Sequence, residues 1–275
     1  MQKKNIIWLA SYPKSGNTWF RSFLSSLLNE KDLDINELEE GKIFSRRNVI
    51  EEVMDIDTTL FSYDEIKAKQ ADVYRYLSNK SDEKIFYKIH DGFVKDINNK
   101  NIVPENATLC AIYFVRNPLD VVISFANHNA MDFDATINIM ENEEHMLGKI
   151  SGKQIRQPLL SWHNHYISWV KKPNFPVYIL KYEEMLSNTF EIFKNIIKKI
   201  GLDYTDEAIQ AAINATSFEK LKKQEEDKGF NEKNPDSPRF FNNGTSGTWK
   251  GKLSEKQIER IVTKHGDVMR DLGYL

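Results

Sequence analysis

Lys14, Ser15, Gly16, Asn17 and Thr18 fall in YPKSGNTW, Tyr12 to Trp19, between a short apolar run and a helical pattern. Backbone N–H groups at a helix start have no intrahelical acceptors, and the helix dipole adds partial positive charge, so such a turn attracts anions. Lys14 adds a full charge, Gly16 lets backbone approach a ligand, and Asn17 and Thr18 bring side-chain donors. The chemistry is capture of a phosphate-bearing ligand; the bland alternative is an ordinary strand-to-helix turn with a solvated lysine. The nucleoside-triphosphate loop G-x-x-x-x-G-K-[ST] has its lysine just before the hydroxyl residue. Here the lysine precedes the only glycine and no upstream glycine opens the loop, which points to a related device with a different ligand.

Two further segments carry chemistry. In YFVRNPLDVVIS, Tyr113 to Ser124, Arg116 falls where an apolar run ends, Pro118 near a first helical position and Ser124 two turns along. An arginine at the carboxyl end of a parallel strand points into the crevice where α/β sheets bind ligands, unless it merely pairs with Asp120. In YKIHD, Tyr87 to Asp91, the period of a strand puts Lys88 and His90 on one face. A lone histidine is as readily a hydrogen-bonded structural group as a base.

The elements that must position these residues read as alternating strand and helix. Asn5 to Ser11, Ile85 to Ile89, Thr108 to Val115 and Val177 to Leu180 are expected strands, and the third, nearly all apolar, suits a strand covered on both faces. Trp19 to Leu28, Tyr63 to Leu77, Pro118 to Asn129, Gln157 to Val170 and Thr189 to Ile200 are expected helices. The fold class is therefore α/β, with a central parallel sheet flanked by helices. Asp32 to Thr59 and Ala130 to Arg156 break the rhythm and are expected to cover a site, while Lys222 to Gly247 reads as a long loop.

Composition narrows the classes. At about 150 residues per domain, 275 residues allow one or two, and a single domain over 1–275 is the simpler expectation. A 40% hydrophobic and 12% aromatic content excludes disorder. With 38 basic against 40 acidic residues the net charge is −2, so no global excess of cations grips nucleic acid or a membrane, and an anion site must be local. The single cysteine, Cys110, forms neither an intrachain disulfide nor a cysteine zinc cluster, and no apolar run approaches the roughly 20 residues of a membrane span. A cytoplasmic protein is expected.

Together the three segments resemble the sulfotransferases that use 3′-phosphoadenosine 5′-phosphosulfate (PAPS). YPKSGNTW looks like that family's 5′-phosphosulfate loop, typically TYPKSGTTW, and VRNPLDVVIS like its 3′-phosphate motif, with the Arg116 to Ser124 separation kept. SWHNHYISW at Ser161 to Trp169 resembles its W-x-x-H-x-x-x-W helix, KYEEM at Lys181 to Met185 its YED-type strand end, and TSFEKLKK at Thr216 to Lys223 its TSF-x-x-[LM] segment. GTSGTWKGKLSEKQIERI, Gly244 to Ile261, resembles its closing segment, so the likeness runs in family order over nearly the whole chain.

The resemblance implies that Lys14, Ser15, Gly16, Asn17 and Thr18 hold the 5′-phosphosulfate and that Arg116 and Ser124 hold the 3′-phosphate. It implies that Trp19, Tyr182, Thr216 and Phe218 hold the adenine, that His90 is the general base and that Lys88 assists it. Where the family has Arg-Lys-Gly reaching the 3′-phosphate, this chain has Asn242, Asn243 and Gly244. Asparagine donates without charge, so Arg239, Lys250 or Lys252 must compensate or donor affinity falls. The implied co-substrate is PAPS, the product is 3′-phosphoadenosine 5′-phosphate (PAP), and no metal is expected. The implied acceptor is a small-molecule alcohol or phenol, with Phe44, Phe61, Phe93, Met131, Phe133, Met140 and Met146 as candidate wall residues. The competing expectations are a P-loop kinase or hydrolase using ATP with magnesium, and a catalytically silent nucleotide-binding protein of the same fold.

Overall fold

A computed structural model describes residues 2–29, 33–38, 40–43, 47–148 and 155–275. In it Ile6–Ser11 forms β1 with all six residues buried, as a strand covered on both faces must be. The chain divides into two compact units. The first comprises Met1–Tyr12, Gly41–Tyr113 and Asn142–Ile179, and the second Pro13–Glu40, Phe114–Glu141 and Leu180–Leu275.

After β1 come α1 (Asn17–Asn29), β2 (Lys42–Ile43), α2 (Arg47–Met54), a 3₁₀ turn (Thr58–Leu60) and α3 (Tyr63–Lys80). Then follow β3 (Ile85–Ile89), β4 (Thr108–Val115), α4 (Pro118–Asn129), α5 (Phe133–Glu141), β5 (Met146–Leu147), β6 (Gln157–Pro158), α6 (Trp162–Lys171) and β7 (Val177–Lys181). The chain closes with α7 (Tyr182–Ser187), α8 (Thr189–Lys199), α9 (Asp206–Ala215), α10 (Phe218–Lys228) and α11 (Glu255–Asp271).

The main sheet has the order β2-β3-β1-β4-β7. β3 runs parallel to β1, with Ile6 opposite Ile85 and Ala10 opposite Ile89, and parallel to β2. Because the chain passes from β3 over β1 to β4, the strand order reverses at β1, the kind of switch point beside which open α/β sheets bind ligands. β4 is buried at every residue but Leu109. Helix starts are chemically marked: Ser62 and Glu65 form a capping box on α3, Asn117 with Pro118 opens α4, Ser161 caps α6, and Ser254 with Gln257 caps α11.

In the first unit Trp8 is fully buried, donating from Nε1 to Thr108 Oγ1 at 2.9 Å and lying edge-on to Tyr74. A buried ion pair joins Lys67 of α3 to Asp91 just past β3, and the Asp91 carbonyl accepts from Trp169 Nε1 at 2.8 Å. In the second unit Phe20, Phe23, Phe114 and Phe193 form an aromatic cluster with ring centroids 4.5 to 5.7 Å apart.

Three sequence expectations need correction. The helix expected from Gln157 starts at Trp162: Leu160 has φ +63°, outside the helical region, and Gln157–Pro158 pairs with Met146–Leu147 as a two-stranded antiparallel ribbon. The stretch Ala130 to Arg156 carries no strand signal in its sequence, yet it holds α5 and the strand Met146–Leu147, which is too brief to show a period; 149–154 lie outside the described residues. Lys222 to Lys228 is helix rather than loop, since α10 buries only Leu221 and Glu225 and so shows almost no apolar stripe. Beyond Gly229, whose φ is +76°, the expected loop is present.

Removing one partner of the Lys67–Asp91 pair strands a buried charge. Asp91→Ala is expected to lose about 3–5 kcal/mol in urea unfolding, and the double change Lys67→Met with Asp91→Leu to recover most of it. A single variant with wild-type stability would reject this account.

Candidate active site

β1 leads straight into the turn of Tyr12 to Gly16. Lys14 has φ +69°, a conformation that a side-chain-bearing residue holds only at a cost, and Gly16 has φ +97°. A Cβ on Gly16 would lie 2.8 Å from Tyr182 Cδ2, so glycine is required on both conformational and steric grounds. Phe20 N donates to Gly16 O at 3.2 Å, which starts α1 at the turn and leaves the preceding N–H groups without intrahelical acceptors. Ser15 is 1% exposed, and its hydroxyl has no hydrogen-bond partner. The Lys14 ammonium sits 3.6 Å from the Phe240 ring centroid.

Arg116, at the end of β4, is 8% exposed and ties two segments together. Its Nη1 donates to Lys14 O at 3.3 Å and its Nη2 to Thr245 O at 2.9 Å, while the guanidinium carbon stands 4.3 Å from the Tyr182 ring centroid. Its Nε is buried without a partner. Asp120, the other candidate partner for this arginine, instead accepts from Gly247 N, Thr248 Oγ1 and Trp249 N at 2.7, 2.8 and 3.2 Å. Ser124 is half-buried on α4.

Tyr182 is buried, and that burial raises its phenol above the usual range, with the nearby Arg116 charge pulling the other way. Trp19 lies edge-on to it with centroids 6.3 Å apart, and the buried Trp19 Nε1 has no partner. Thr216 is fully buried with its hydroxyl donated to Ala212 O at 2.8 Å, so it caps α9. Phe218 packs on Gly244, where a Cβ would come within 2.4 Å of the ring and where φ is +61°. Asn242 and Asn243 are exposed. Of the cations proposed to compensate for them, Arg239 pairs with Glu226 at 3.4 Å and Lys250 sits over Trp249. All these residues belong to the second unit.

Lys88 and His90 belong to the first unit. Lys88 is buried in β3, and His90 follows the strand's last residue. His90 Nδ1 lies 2.7 Å from Ser11 O; donation to that carbonyl assigns the proton to Nδ1 and the ring's basic lone pair to Nε2. The His90 backbone is held at both ends, its N–H by Gln157 Oε1 at 3.2 Å and its carbonyl by His165 Nε2 at 3.2 Å. His165, fully buried, accepts from Tyr113 OH on Nδ1 at 2.7 Å, and burial pushes its pKa down to about 3.

Among the proposed acceptor-wall residues, Phe93 and Met140 are core, Met131 is 37% exposed, and Phe61 and Phe133 are half-buried. Met146 lines a cavity of about 320 Å³ in the first unit with Tyr63, Lys67, Val94, Ile97 and Pro158. Phe44 lies outside the described residues. Among the described residues no group of three or more His, Cys, Asp or Glu side chains could hold a metal ion, and no helix is long and apolar enough to cross a membrane.

Sequence reasoning missed Glu225, Phe240 and His165 as organisers of these segments. His165 sits in the SWHNHYISW helix, but only its burial beside Tyr113 fixes its role. Glu225 lies four residues after Leu221 on one helical face, a spacing that does not distinguish it from its solvated acidic neighbours.

The sulfotransferase domain family matches residues 4–273, a span that crosses both units. The chain belongs to that family. It is 24% identical to cytosolic sulfotransferase 16 of Arabidopsis thaliana over 97% of this chain and 77% of that protein. It is also 24% identical to the amine sulfotransferase of Oryctolagus cuniculus, over 96% of this chain and 81% of that one. The fold matches the crystal structure of mouse sulfotransferase SULT7A1 complexed with PAP at TM-score 0.64 and 18% identity, covering 100% of this chain and 88% of that one. Retinol dehydratase in complex with androsterone and PAP matches at TM-score 0.62 and 18% identity, over 98% and 82%. The central sheet flanked by helices is thus the sulfotransferase fold.

Gly16→Ala must force a Cβ into the Tyr182 ring at a positive φ, so it is expected to lose about 1–3 kcal/mol of stability together with nucleotide binding. An alanine variant with wild-type melting and binding would refute that. His165, neutral in the fold and titrating near 6.5 when unfolded, gives stability that is complete above pH 6.5 and declines as pH falls toward about 3. The slope from this group approaches about 1.4 kcal/mol per pH unit. Urea midpoints between pH 7 and 4.5 should fall less steeply in the non-titrating His165→Asn variant; equal slopes would rule out the neutral buried ring.

Proposed function

We propose that this sulfotransferase moves the sulfuryl group of PAPS to the hydroxyl of a small-molecule alcohol or phenol and releases PAP, acting as one sulfotransferase domain over 1–275 in the cytoplasm. The observation that carries the reading is the turn of Lys14 to Thr18. There a backbone position open only to glycine at Gly16, a helix start and a buried unpartnered Ser15 hydroxyl stand in one stretch of chain, and the Arg116 guanidinium bonds its Lys14 carbonyl.

The residues suit that donor. Ser15 Oγ, Arg116 Nε and Trp19 Nε1 are buried polar atoms that lack partners within the protein, and a nucleotide with several anionic oxygens supplies acceptors for them. Lys14, Ser15, Gly16, Asn17 and Thr18 bind the 5′-phosphosulfate; Arg116 and Ser124 bind the 3′-phosphate, with backbone and side-chain donors of Asn242, Asn243 and Gly244. Trp19, Tyr182, Thr216 and Phe218 frame the adenine, Thr216 by fixing the start of the segment that carries Phe218.

In the transfer itself His90 Nε2 takes the acceptor's hydroxyl proton as the oxygen–sulfur bond forms. Lys14 neutralises the charge gathering on the bridging oxygen as the sulfur–oxygen bond to phosphate breaks, and Lys88 assists beside the base. The hydrogen bond from Nδ1 to Ser11 O suits this role because it leaves the basic nitrogen at Nε2. An ATP-using kinase or hydrolase is disfavoured by family membership and by the absence of the loop's opening glycine.

Thermal-shift measurements should rank PAP far above AMP and above ATP with magnesium, since a ligand at 100 times its Kd stabilises by about 2.7 kcal/mol. Preference for ATP would overturn the donor assignment. With PAPS and a panel of alcohols and phenols, His90→Ala is expected to lower kcat by about 10² to 10⁴ while PAP binding persists. Undiminished turnover in that variant would remove His90 as the base.

A further inference from the structure

The segment 240–249 bears on three residues of the proposed donor site. Phe240 lies under the Lys14 ammonium at 3.6 Å, the Thr245 carbonyl accepts from Arg116 Nη2 at 2.9 Å, and Gly244 packs on Phe218. Yet the segment belongs to no helix or strand: its backbone bonds are turn bonds at the far end, from Lys250 N to Gly247 O and from Leu253 N to Trp249 O, and both Asn242 and Asn243 face solvent. Phe240 and Phe241 pack against Phe230, and a buried carboxylate takes up backbone N–H groups at each end.

Glu225, 8% exposed on α10, accepts from Phe240 N on one oxygen at 2.6 Å and from Phe241 N on the other at 2.8 Å. Asp120, 1% exposed in the first turn of α4, accepts from Gly247 N on Oδ2 at 2.7 Å, and from Thr248 Oγ1 and Trp249 N on Oδ1 at 2.8 and 3.2 Å. Hydrogen bonds to ionised acceptors are shorter and about twice as strong as neutral ones, and here they converge on backbone donors that would otherwise have to find water. The two grips stand at opposite ends of the segment, so the stretch between them has little freedom left.

We infer that Asp120 and Glu225 are positioning residues that clasp the segment 240–249 at both ends, and that this clasp sets the affinity of the donor site. The inference rests on the donor reading given above. Glu225 acts on Lys14 through Phe240, whose backbone it fixes so that the ring meets the ammonium. Asp120 acts on Arg116 through Thr245, two residues before the first amide it holds. Neither carboxylate need touch the nucleotide. Because the clasp arranges donors in advance, its loss should appear in the affinity for the donor and in its KM rather than in the chemical step.

Hydrogen exchange on the unliganded protein tests the clasp independently of any ligand. In Asp120→Ala the amides of Gly247 and Trp249 are expected to exchange about 100-fold faster than in the wild type, with β1 amides unchanged; Glu225→Ala should do the same at Phe240 and Phe241. In parallel, PAP titration of Asp120→Ala should show Kd raised by about 10- to 100-fold, with KM for PAPS rising in step. Thr248→Val removes one bond and no charge, so it reports even where the alanine variants do not fold; its Kd is expected to rise about 2- to 10-fold.

Unchanged exchange at Gly247 and Trp249 in a folded Asp120→Ala protein overturns the clasp. Faster exchange with unaltered PAP affinity, a wild-type Kd in Thr248→Val, or a loss confined to kcat overturns its link to the donor. A wild-type protein that does not bind PAP defeats the donor reading and the affinity link together, while the exchange data still decide whether the clasp exists.

Discussion

At residue 16 the chain has room for backbone and for nothing else. The Tyr182 ring closes the space in which a side chain would stand, and the positive φ of both Lys14 and Gly16 bends the chain so that β1 can give way to α1 within a few residues. From that one constraint the second unit's arrangement follows. The start of α1 is fixed by the Phe20 to Gly16 bond, the Lys14 carbonyl is turned to meet Arg116, and Arg116 in turn lies on the face of the tyrosine that excludes a side chain at residue 16. Turn, arginine and aromatic ring are thus mutually determined, and removing any one leaves a void or an unpaired polar group among the others.

Buried polar groups, more than apolar packing, decide where the segment 240–249 and the backbone of His90 lie. Apolar contacts bring α1, α8 and β4 together through Phe20, Phe23, Phe114 and Phe193, but such contacts are not directional. Direction comes from Asp120 and Glu225 on the segment 240–249, and from Gln157 and His165 on the backbone of His90. Each places a strong acceptor or donor where water cannot replace it, so a small displacement costs a full hydrogen bond. The same logic puts the Lys67–Asp91 pair directly behind His90 in the chain.

The uncharged Asn242 and Asn243 take on a physical meaning in this setting. Where the resemblance to the sulfotransferases implies Arg-Lys, two exposed amides stand in a segment whose ends are held by Glu225 and Asp120. Charge attracts an anion from a distance and loosely, whereas neutral donors work only when geometry is prepared beforehand. Under the proposed function, fixing the segment by its backbone keeps such donors aligned where fewer cations are present.

The sequence by itself determined the elements with strong local signals. β1 and β4 are read from apolar runs, α4 from Pro118 near its first helical position, and the strand-to-helix turn from Pro13 and Gly16 between the run Asn5 to Ser11 and the helical pattern from Trp19, because strand burial, proline and glycine act within a few residues. The resemblance to the sulfotransferases singles out Arg116, Tyr182 and His90 as candidate site residues. Only the tertiary structure decided that Asp120 holds Gly247 to Trp249 rather than Arg116, that Thr216 caps its own helix, that Leu160 delays α6 to Trp162, and that Glu225 among several acidic neighbours is the buried one. For Asp120 and Glu225 the physical reason is the same: a buried carboxylate's partner is chosen by which non-local backbone groups are buried beside it, across up to 129 positions of sequence for Asp120 and 16 for Glu225, where no local pattern can register it.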